Sequence, residues 1–495
     1  MNKAEKRSFK IYLSKYNLQK EINAIVLFDA IEVLDEFDKN LLIKNLEGYS
    51  FVKNLNYEKH RLQQLILNFF IDFHKENHIE IELRNLLNKV HILVEKNILP
   101  LALKLVNKGI TDSKNNYYPK FTYEFLSKKM MIIQSLSSKK EDFSSVLEEY
   151  DEYFSKIENE HHFHLLYRKF VSQHITKDLS PKSCFFNENN WLEQSELFQE
   201  TKPATTKVGM SYLYHTKYLY HTLKGEQTKV FGNIQKAKDL FEENPGYLKG
   251  YFRNYLSICF SYIRASMVTK QYDLAGDMLK NMKSFPTKYE DRFTLRLENY
   301  YHSYYYGYLI NWYRTLYRFE EAYKLFESKA DFLFAKNFFN YSYHRGIEFR
   351  FNKIAIAFGL GKNQEVVESL RAIEKLPNKE IKPEHFYYSK MIGIFANYEL
   401  KYTTMVVIEI SRLQEYRKRK IPSNKTNKFE LKVLKALKKN IDTMDIREIL
   451  LPFEEEAHLY LNDGNGDNLF PLWFKAKINS LNIKDVLKLK RKEMM

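Results

Sequence analysis

From residue 98 onward one local pattern keeps returning: a bulky side chain, a small one three residues later, and a second bulky one four beyond that. Leu99, Ala102 and Val106 show it in ILPLALKLV, and Ile234, Ala237 and Phe241 in NIQKAKDLF. Tyr272, Ala275 and Leu279 follow in QYDLAGDML, then Phe319, Ala322 and Phe326 in RFEEAYKLF. In NQEVVESL the small position holds Val366, with Leu370 four residues on, and KYTTMVVIEI carries a weaker copy around Val406. From Ala237 the small positions are spaced by 38, 47, 44 and 40 residues. Offsets of three and seven place all three side chains on one helical face. A return at this period marks stacked helical hairpins. The small residue lets two helices of a hairpin approach closely, and the bulky ones fill the groove toward the next hairpin.

Composition agrees with that architecture. Across 495 residues there are only 15 Gly and 11 Pro, the residues that punctuate loops and strand-rich folds. Hydrophobic residues make up 44% of the chain and aromatics 16%, ample material for a continuous core and unlike a disordered chain. The expected fold class is all-α: a right-handed α-solenoid of antiparallel helical hairpins, preceded by an N-terminal helical subdomain.

YRFEEAYKLF and GLGKNQEVVESL resemble the second-helix entry of tetratricopeptide repeats (TPRs). Tyr313, Phe319, Ala322 and Phe326 fall on that family's aromatic, aromatic, alanine and bulky positions, and Gly361 on its turn glycine. The period is longer than the usual one, and most turn glycines are replaced. The opening MNKAEKRSFK together with this layout also resembles a set of uncharacterised bacterial TPR-like proteins. The resemblance implies a TPR-like array over residues 90–440 and a fold more than an activity.

Along the chain, residues 1–90 read as a helical subdomain. NAIVLFDAIEVLDEF places Ile25, Phe28, Ala30 or Ile31, and Leu34 at helical spacing, and LLIKNLEG stops at Gly48. Leu62, Leu65, Ile66, Phe69, Phe70 and Phe73 then form one stripe. A short helix, a turn and a longer basic-headed helix bearing Lys59 and Arg61 also fit a DNA-reading helix pair. Residues 91–200 open the array. TKPATTKVG at 201–209 is the candidate hinge, 210–440 holds the TPR-like repeats, and 441–495 forms a C-terminal helical cap.

Charge raises the question of partners. Lys and Arg exceed Asp and Glu by 16, which suits nucleic acid or an acidic surface. A/T-rich codons account for the same wealth of Lys, Asn, Ile, Phe and Tyr, and both readings stay open. Residues 411–440 carry eleven Lys or Arg against two acids, and 441–470 eight acids against Arg447, blocks suited to pairing within one hairpin. Within RLQEYRKRKIPSNK, Arg412, Arg417, Lys418, Arg419 and Lys420 end a helix before Ile421-Pro422. They are the polyanion candidates, although cations there also complement a helix C-terminus.

Motifs for catalysis are hard to find. Nothing resembles a phosphate-binding glycine loop, a nucleophile elbow or a zincin helix. Cys184 and Cys259 form no CxxC pair, and such sparse use suits a reducing cytoplasm. The N-terminus lacks an apolar signal core, and no uncharged apolar run reaches a membrane span. DGNGDN at 463–468 puts Asn468 and Phe474 where a calcium loop needs Gly and Glu, so it reads as a solvated turn. His161 and His164 share a helical face, with His174 and Cys184 as partners of no diagnostic spacing. No metal or cofactor site is expected, and the chain reads as non-enzymatic.

The densest aromatic stretch is YHSYYYGYLINWYRTLYRFEEAYKLF, residues 301–326, with eleven aromatic residues. On a helix, Tyr301, Tyr304, Tyr305, Tyr308 and Trp312 form one stripe and His302, Tyr306, Ile310, Tyr313 and Tyr317 a second, as expected of a helix wedged between neighbours. Asn311, Arg314 and Arg318 gather in the narrow polar arc left over. With Arg345 and Arg350 on the next first helix, they are the candidate contacts for an acidic protein or peptide partner on a concave face. The alternative partner is nucleic acid, with the N-terminal helices contacting DNA.

Overall fold

The computed structural model describes residues 3–14, 19–34, 38–74, 79–136, 143–175, 190–333, 343–375, 383–420, 425–457 and 469–494. Cys184, the DGNGDN turn and Ile421-Pro422 lie outside the described residues, as do the side chains of His174 and Arg345. Among the described residues every regular element is a helix, and no strand is present. No helix among them is long and apolar enough to cross a membrane.

The chain divides into two compact units, residues 1–162 with 244–250, and 163–243 with 251–495. In the first, Lys3–Ser14 (α1), Gln19–Glu32 (α2), Lys39–Asn45 (α3) and Leu55–His74 (α4) close on one core. Phe9 sits at its centre, edge-on to Phe28 at 5.1 Å and to Phe69 at 5.3 Å. Asp38 caps α3 by accepting from the amides of Asn40 and Leu41, which otherwise have no partner inside the helix. Ile79–Glu95 (α5), Leu99–Asn115 (α6) and Pro119–Leu136 (α7) build a second core around Val90, Ala102, Val106 and Phe125. Gly109 is needed there, because a Cβ would stand 2.4 Å from the Phe125 ring. Phe143–Ile175 (α8) begins in this unit and ends in the other.

The second unit holds five successive helix pairs: Lys207–Lys224 (α9) with Gln227–Glu242 (α10), Leu248–Val268 (α11) with Tyr272–Met282 (α12), Leu295–Thr315 (α13) with Phe319–Leu333 (α14), Tyr343–Gly359 (α15) with Asn363–Glu374 (α16), and Pro383–Glu399 (α17) with Thr403–Lys420 (α18). Thr206, in the 201–209 stretch, caps α9 through the Gly209 amide. Helix α11 leaves helical geometry at Tyr251 (φ −124°, ψ 24°), where the division between the units falls. From α14 to α18 each helix packs on the next, and the first helices of successive pairs also meet, α13 with α15 and α15 with α17. Lys425–Asn440 (α19), Ile446–Leu450 (α20), Phe470–Ile478 (α21) and Ile483–Met494 (α22) complete the unit. The Lys432–Glu456 ion pair, 3.0 Å, joins the basic block to the acidic one.

One turn is used again and again in both units. At Asn97, Tyr117, Gly225, Lys270, Tyr317, Gly361, Lys401 and Ser480 the backbone enters the left-handed region just past a helix end. The amide of the following residue reaches back five positions, from Ile98 to Leu93, Tyr118 to Ser113, Glu226 to His221, Gln271 to Ser266, Arg318 to Tyr313, Lys362 to Ala357, Tyr402 to Asn397 and Leu481 to Ala476, at 2.7 to 3.0 Å. This is the Schellman closure, which satisfies a carbonyl left orphaned by the helix end. In the first seven turns the same residue's carbonyl then accepts the first bond of the next helix, from the amides of Ala102, Thr122, Val230, Ala275, Ala322, Val366 and Val406. One peptide unit therefore ends one helix and starts the next.

Those seven residues are all buried, five places after the left-handed residue. Close approach is why the position is small or β-branched. Ala102, Ala275, Ala322, Val366 and Val406 are the small positions of the sequence pattern. In the α9–α10 hairpin the equivalent residue is Val230, and Ala237, also buried, lies two helical turns further on. The turn recurs, and in five of these seven hairpins the small position of the sequence pattern is the residue five places after the left-handed one.

Candidate partner-binding face

Helix α13 is wedged between neighbours, but the tyrosines of its first aromatic stripe have different fates. Tyr301 and Tyr305 are buried and stacked at 5.3 Å, with the Tyr301 hydroxyl donating to the Met282 carbonyl at 2.6 Å. Tyr300, Tyr304 and Tyr308 stay half-exposed, lined up beside Phe260 of α11. Tyr304 and Tyr308 thus part from Tyr301 and Tyr305, because the neighbour they meet is α11, where they line Phe260.

Helix α11 carries the polar half of this face. Asn254 donates to the Tyr212 hydroxyl of α9 at 2.6 Å. Ser257 interacts with the phenols of Tyr167, from the end of α8, and Tyr300 of α13. The Ser261 hydroxyl lies 3.0 Å from Nε2 of His215 on α9. Burial raises the Tyr167 and Tyr300 phenols above the usual range and pushes Tyr218 up to about 12, so these hydroxyls remain protonated at neutral pH. Burial likewise lowers the His215 imidazole to about 4, which keeps it neutral.

Cations border the same surface. Arg253 and Arg264 of α11 and Arg168 of α8 are exposed. Arg253 stands 6.0 Å from the Tyr300 ring, and Arg168 donates to Nε2 of His164, which stacks on Tyr212 at 4.7 Å. No acidic residue occurs in α9 or α11. Over four pairs the first helices, α9, α11, α13 and α15, hold eleven Lys or Arg against Glu298 and Glu348. Their partners α10, α12, α14 and α16 hold seven Lys or Arg against eleven Asp or Glu. The next pair reverses, with five cations and two acids on α18.

The residues singled out from the sequence fall in several places. Arg314 donates to Oδ1 of Asn352 on α15 at 2.6 Å, a polar link between successive first helices. Asn311 lies one turn before it on α13, half-exposed, and Arg350 donates to the Gly346 carbonyl of its own helix at 3.4 Å. Arg345 lies on α15. Arg318 belongs to the turn instead: its side chain bonds Glu321 at 2.8 Å and covers the rings of Trp312 and Tyr313. Helical extrapolation placed it on the polar arc because it carried α13 past Thr315, where the Schellman turn ends the helix.

Of the polyanion candidates, Arg412 pairs with Glu409 at 2.7 Å and Arg419 with Glu415 at 3.3 Å. Arg417 is half-buried near the phenol of Tyr387, which donates to the buried carboxylate of Glu430 at 3.1 Å. Lys418 and Lys420 are exposed. In the N-terminal unit Arg61 pairs with Glu58 at 3.3 Å. A hollow of about 450 Å³ near the start of α10 is charge-balanced, Lys224 meeting Glu193 at 2.5 Å and Lys229 meeting Glu226 at 2.9 Å.

Sequence reasoning passed over Arg253, Arg264 and the Asn254–Ser257–Ser261 stripe. Their signal was present as an absence: no carboxylate falls between Val208 and Lys224 or between Leu248 and Val268. Comparison with protein-family models, with curated proteins and with solved structures returns no match for this chain.

Proposed function

We propose that the chain is a non-catalytic scaffold, a right-handed TPR-like α-solenoid whose first helices hold an acidic protein or peptide. The observation that carries this reading is the division of charge between alternate helices. Eleven cations against two acids on first helices, and the opposite bias on second helices, give the two sets opposite potentials along four pairs. Contacts between first helices, such as Arg314–Asn352 and Asn254–Tyr212, bring the cationic set side by side. Half-buried arginines and phenols supply directional donors for carboxylates, which a diffuse lysine surface would not. The His215–Ser261 contact supports a structural role, since an imidazole held near pH 4 is a poor base at neutral pH.

The test is capture of partners by wild-type protein and by two charge variants after nuclease treatment. One variant carries Arg253→Glu, Arg314→Glu and Arg350→Glu on first helices, the other Lys236→Glu, Lys324→Glu and Arg371→Glu on second helices. A protein retained by wild type and the second variant but lost from the first is the expected result. Retention by all three, or material that disappears with nuclease, overturns the reading, the latter in favour of nucleic acid.

A further inference from the structure

Within the cationic first-helix set one surface is better defined than the rest, and it lies on α11 and α13. Arg253 and Arg264 are eleven residues apart on one helix, so roughly 16 Å of axis separates them. Between them Asn254, Ser257 and Ser261 recur at helical spacing, and the Tyr300 and Tyr304 phenols stand alongside on α13. All five of these residues are half-exposed, and they form a strip of neutral polar groups between two cations.

The rings constrain what this strip can hold. Tyr300 packs on Tyr304 at 4.7 Å, Tyr304 on Phe260 at 5.3 Å, and Tyr308 stacks on Phe260 at 5.8 Å. Faces covered by one another are poorly placed to stack a base or a sugar, which is what a single-stranded nucleic acid platform requires. Tyr300 and Tyr304 are half-exposed, and burial of the Tyr300 phenol, which bonds Ser257, keeps it protonated. Donors flanked by arginines, on a helix without a single carboxylate, match a ligand rich in acceptors and negative charge.

We propose that this strip is the docking site for a short extended acidic segment of a partner protein. At about 3.3 Å per residue, five residues span the distance between the two arginines, so an acidic side chain near each end meets Arg253 and Arg264. Backbone carbonyls and intervening carboxylates meet the hydroxyls between them. The assignment rests on the acidic-partner reading above and narrows it to one surface and one length of ligand.

The experiment uses full-length protein and a fluorescein-labelled hexaglutamate peptide, with hexaglutamine and a twelve-nucleotide oligothymidylate as comparison probes, read by anisotropy. Hexaglutamate binds wild type and hexaglutamine binds at least tenfold more weakly. Arg253→Gln with Arg264→Gln lowers hexaglutamate affinity tenfold or more, and Tyr300→Phe with Tyr304→Phe, which keeps both rings, lowers it by about tenfold for the lost charge-assisted bonds. Lys418→Gln with Lys420→Gln, the same loss of charge on α18, leaves it unchanged. Loss in the arginine pair without loss in the tyrosine pair overturns the strip. Loss only on Arg314→Gln with Arg350→Gln overturns it too, while preserving the broader reading. No hexaglutamate binding, or tighter binding of the oligothymidylate, overturns both.

Discussion

The indole of Trp473 donates to Glu399 at 3.0 Å across 74 residues of sequence, while its ring stacks on Phe395 at 4.0 Å and 11°. Lys477 pairs with the same carboxylate at 2.6 Å. Further along, Lys484 lies against Gly361, Leu487 against Gly359, and Arg491 pairs with Glu321 at 3.3 Å. The last two helices thus run back along three successive hairpin turns, those at Lys401, Gly361 and Tyr317. Trp473→Ala, which empties a fully buried ring site, lowers stability by about 3–5 kcal/mol. Trp473→Phe keeps a ring on Phe395 but drops the donor to Glu399, and costs about 1.5–3 kcal/mol. Urea unfolding followed by the fluorescence of Trp191 and Trp312, both in the second unit, measures the difference.

The left-handed turn residues predict a stabilisation. A non-glycine residue there carries roughly 1–2 kcal/mol of backbone strain, which glycine lacks. Lys270 and Lys401 are exposed, with φ of 60° and 64°. Lys270→Gly and Lys401→Gly are each expected to raise stability by about 0.5–1 kcal/mol after the extra freedom of glycine in the unfolded chain is offset. Gly361→Ala, at φ 66°, moves the other way by about 1 kcal/mol. Thermal melts of the three variants check the sign of each.

The buried position five residues after the turn predicts the reverse sensitivity. Ala322 is fully buried where α14 leaves its turn, and Ala322→Leu forces extra methylene groups into that contact. A loss of about 1–3 kcal/mol is expected. Glu320→Leu, two residues earlier and exposed, stays within about 0.5 kcal/mol of wild type. Paired denaturation curves of the two variants give the comparison.

Buried His215 makes stability pH-dependent. Its pKa is lowered from 6.5 to about 4 by burial, so between those values the unfolded chain binds a proton that the folded one does not. Stability from this residue is therefore complete above pH 6.5 and falls as pH drops toward 4, by roughly 3 kcal/mol in all. His215→Gln removes that slope. Unfolding midpoints of both proteins between pH 7 and 4 test it, and equal slopes would rule out His215 as the cause.

Different features were legible to different depths. Ala275 and Ala322 stood out because a small residue between bulky ones at helical spacing has few other uses in a helix-rich chain. Turns at Lys270, Tyr317 and Lys401 were hidden, since their left-handed backbone is imposed by the Schellman bond and by the packing of the next helix rather than by a glycine. Arg318 looked like a neighbour of Arg314 for the same reason: an unmarked helix end lets a helical projection run too far. Arg253 and Arg264 escaped notice because exposed arginines say little until the rings and hydroxyls beside them are known.

By itself the sequence determined the all-helical class and the buried faces around Ala102, Ala275, Ala322, Val366 and Val406, because each follows from local periodicity and composition. Tertiary structure alone decided which tyrosines of α13 are core and which are surface. Tyr301 and Tyr304 lie close together on one helix, and periodicity treats them as a single stripe. Their burial differs because different neighbours meet them, Tyr301 reaching the Met282 carbonyl and Tyr304 facing α11. The helix supplies the direction of a side chain, and only the element packed against it sets whether that side chain is enclosed.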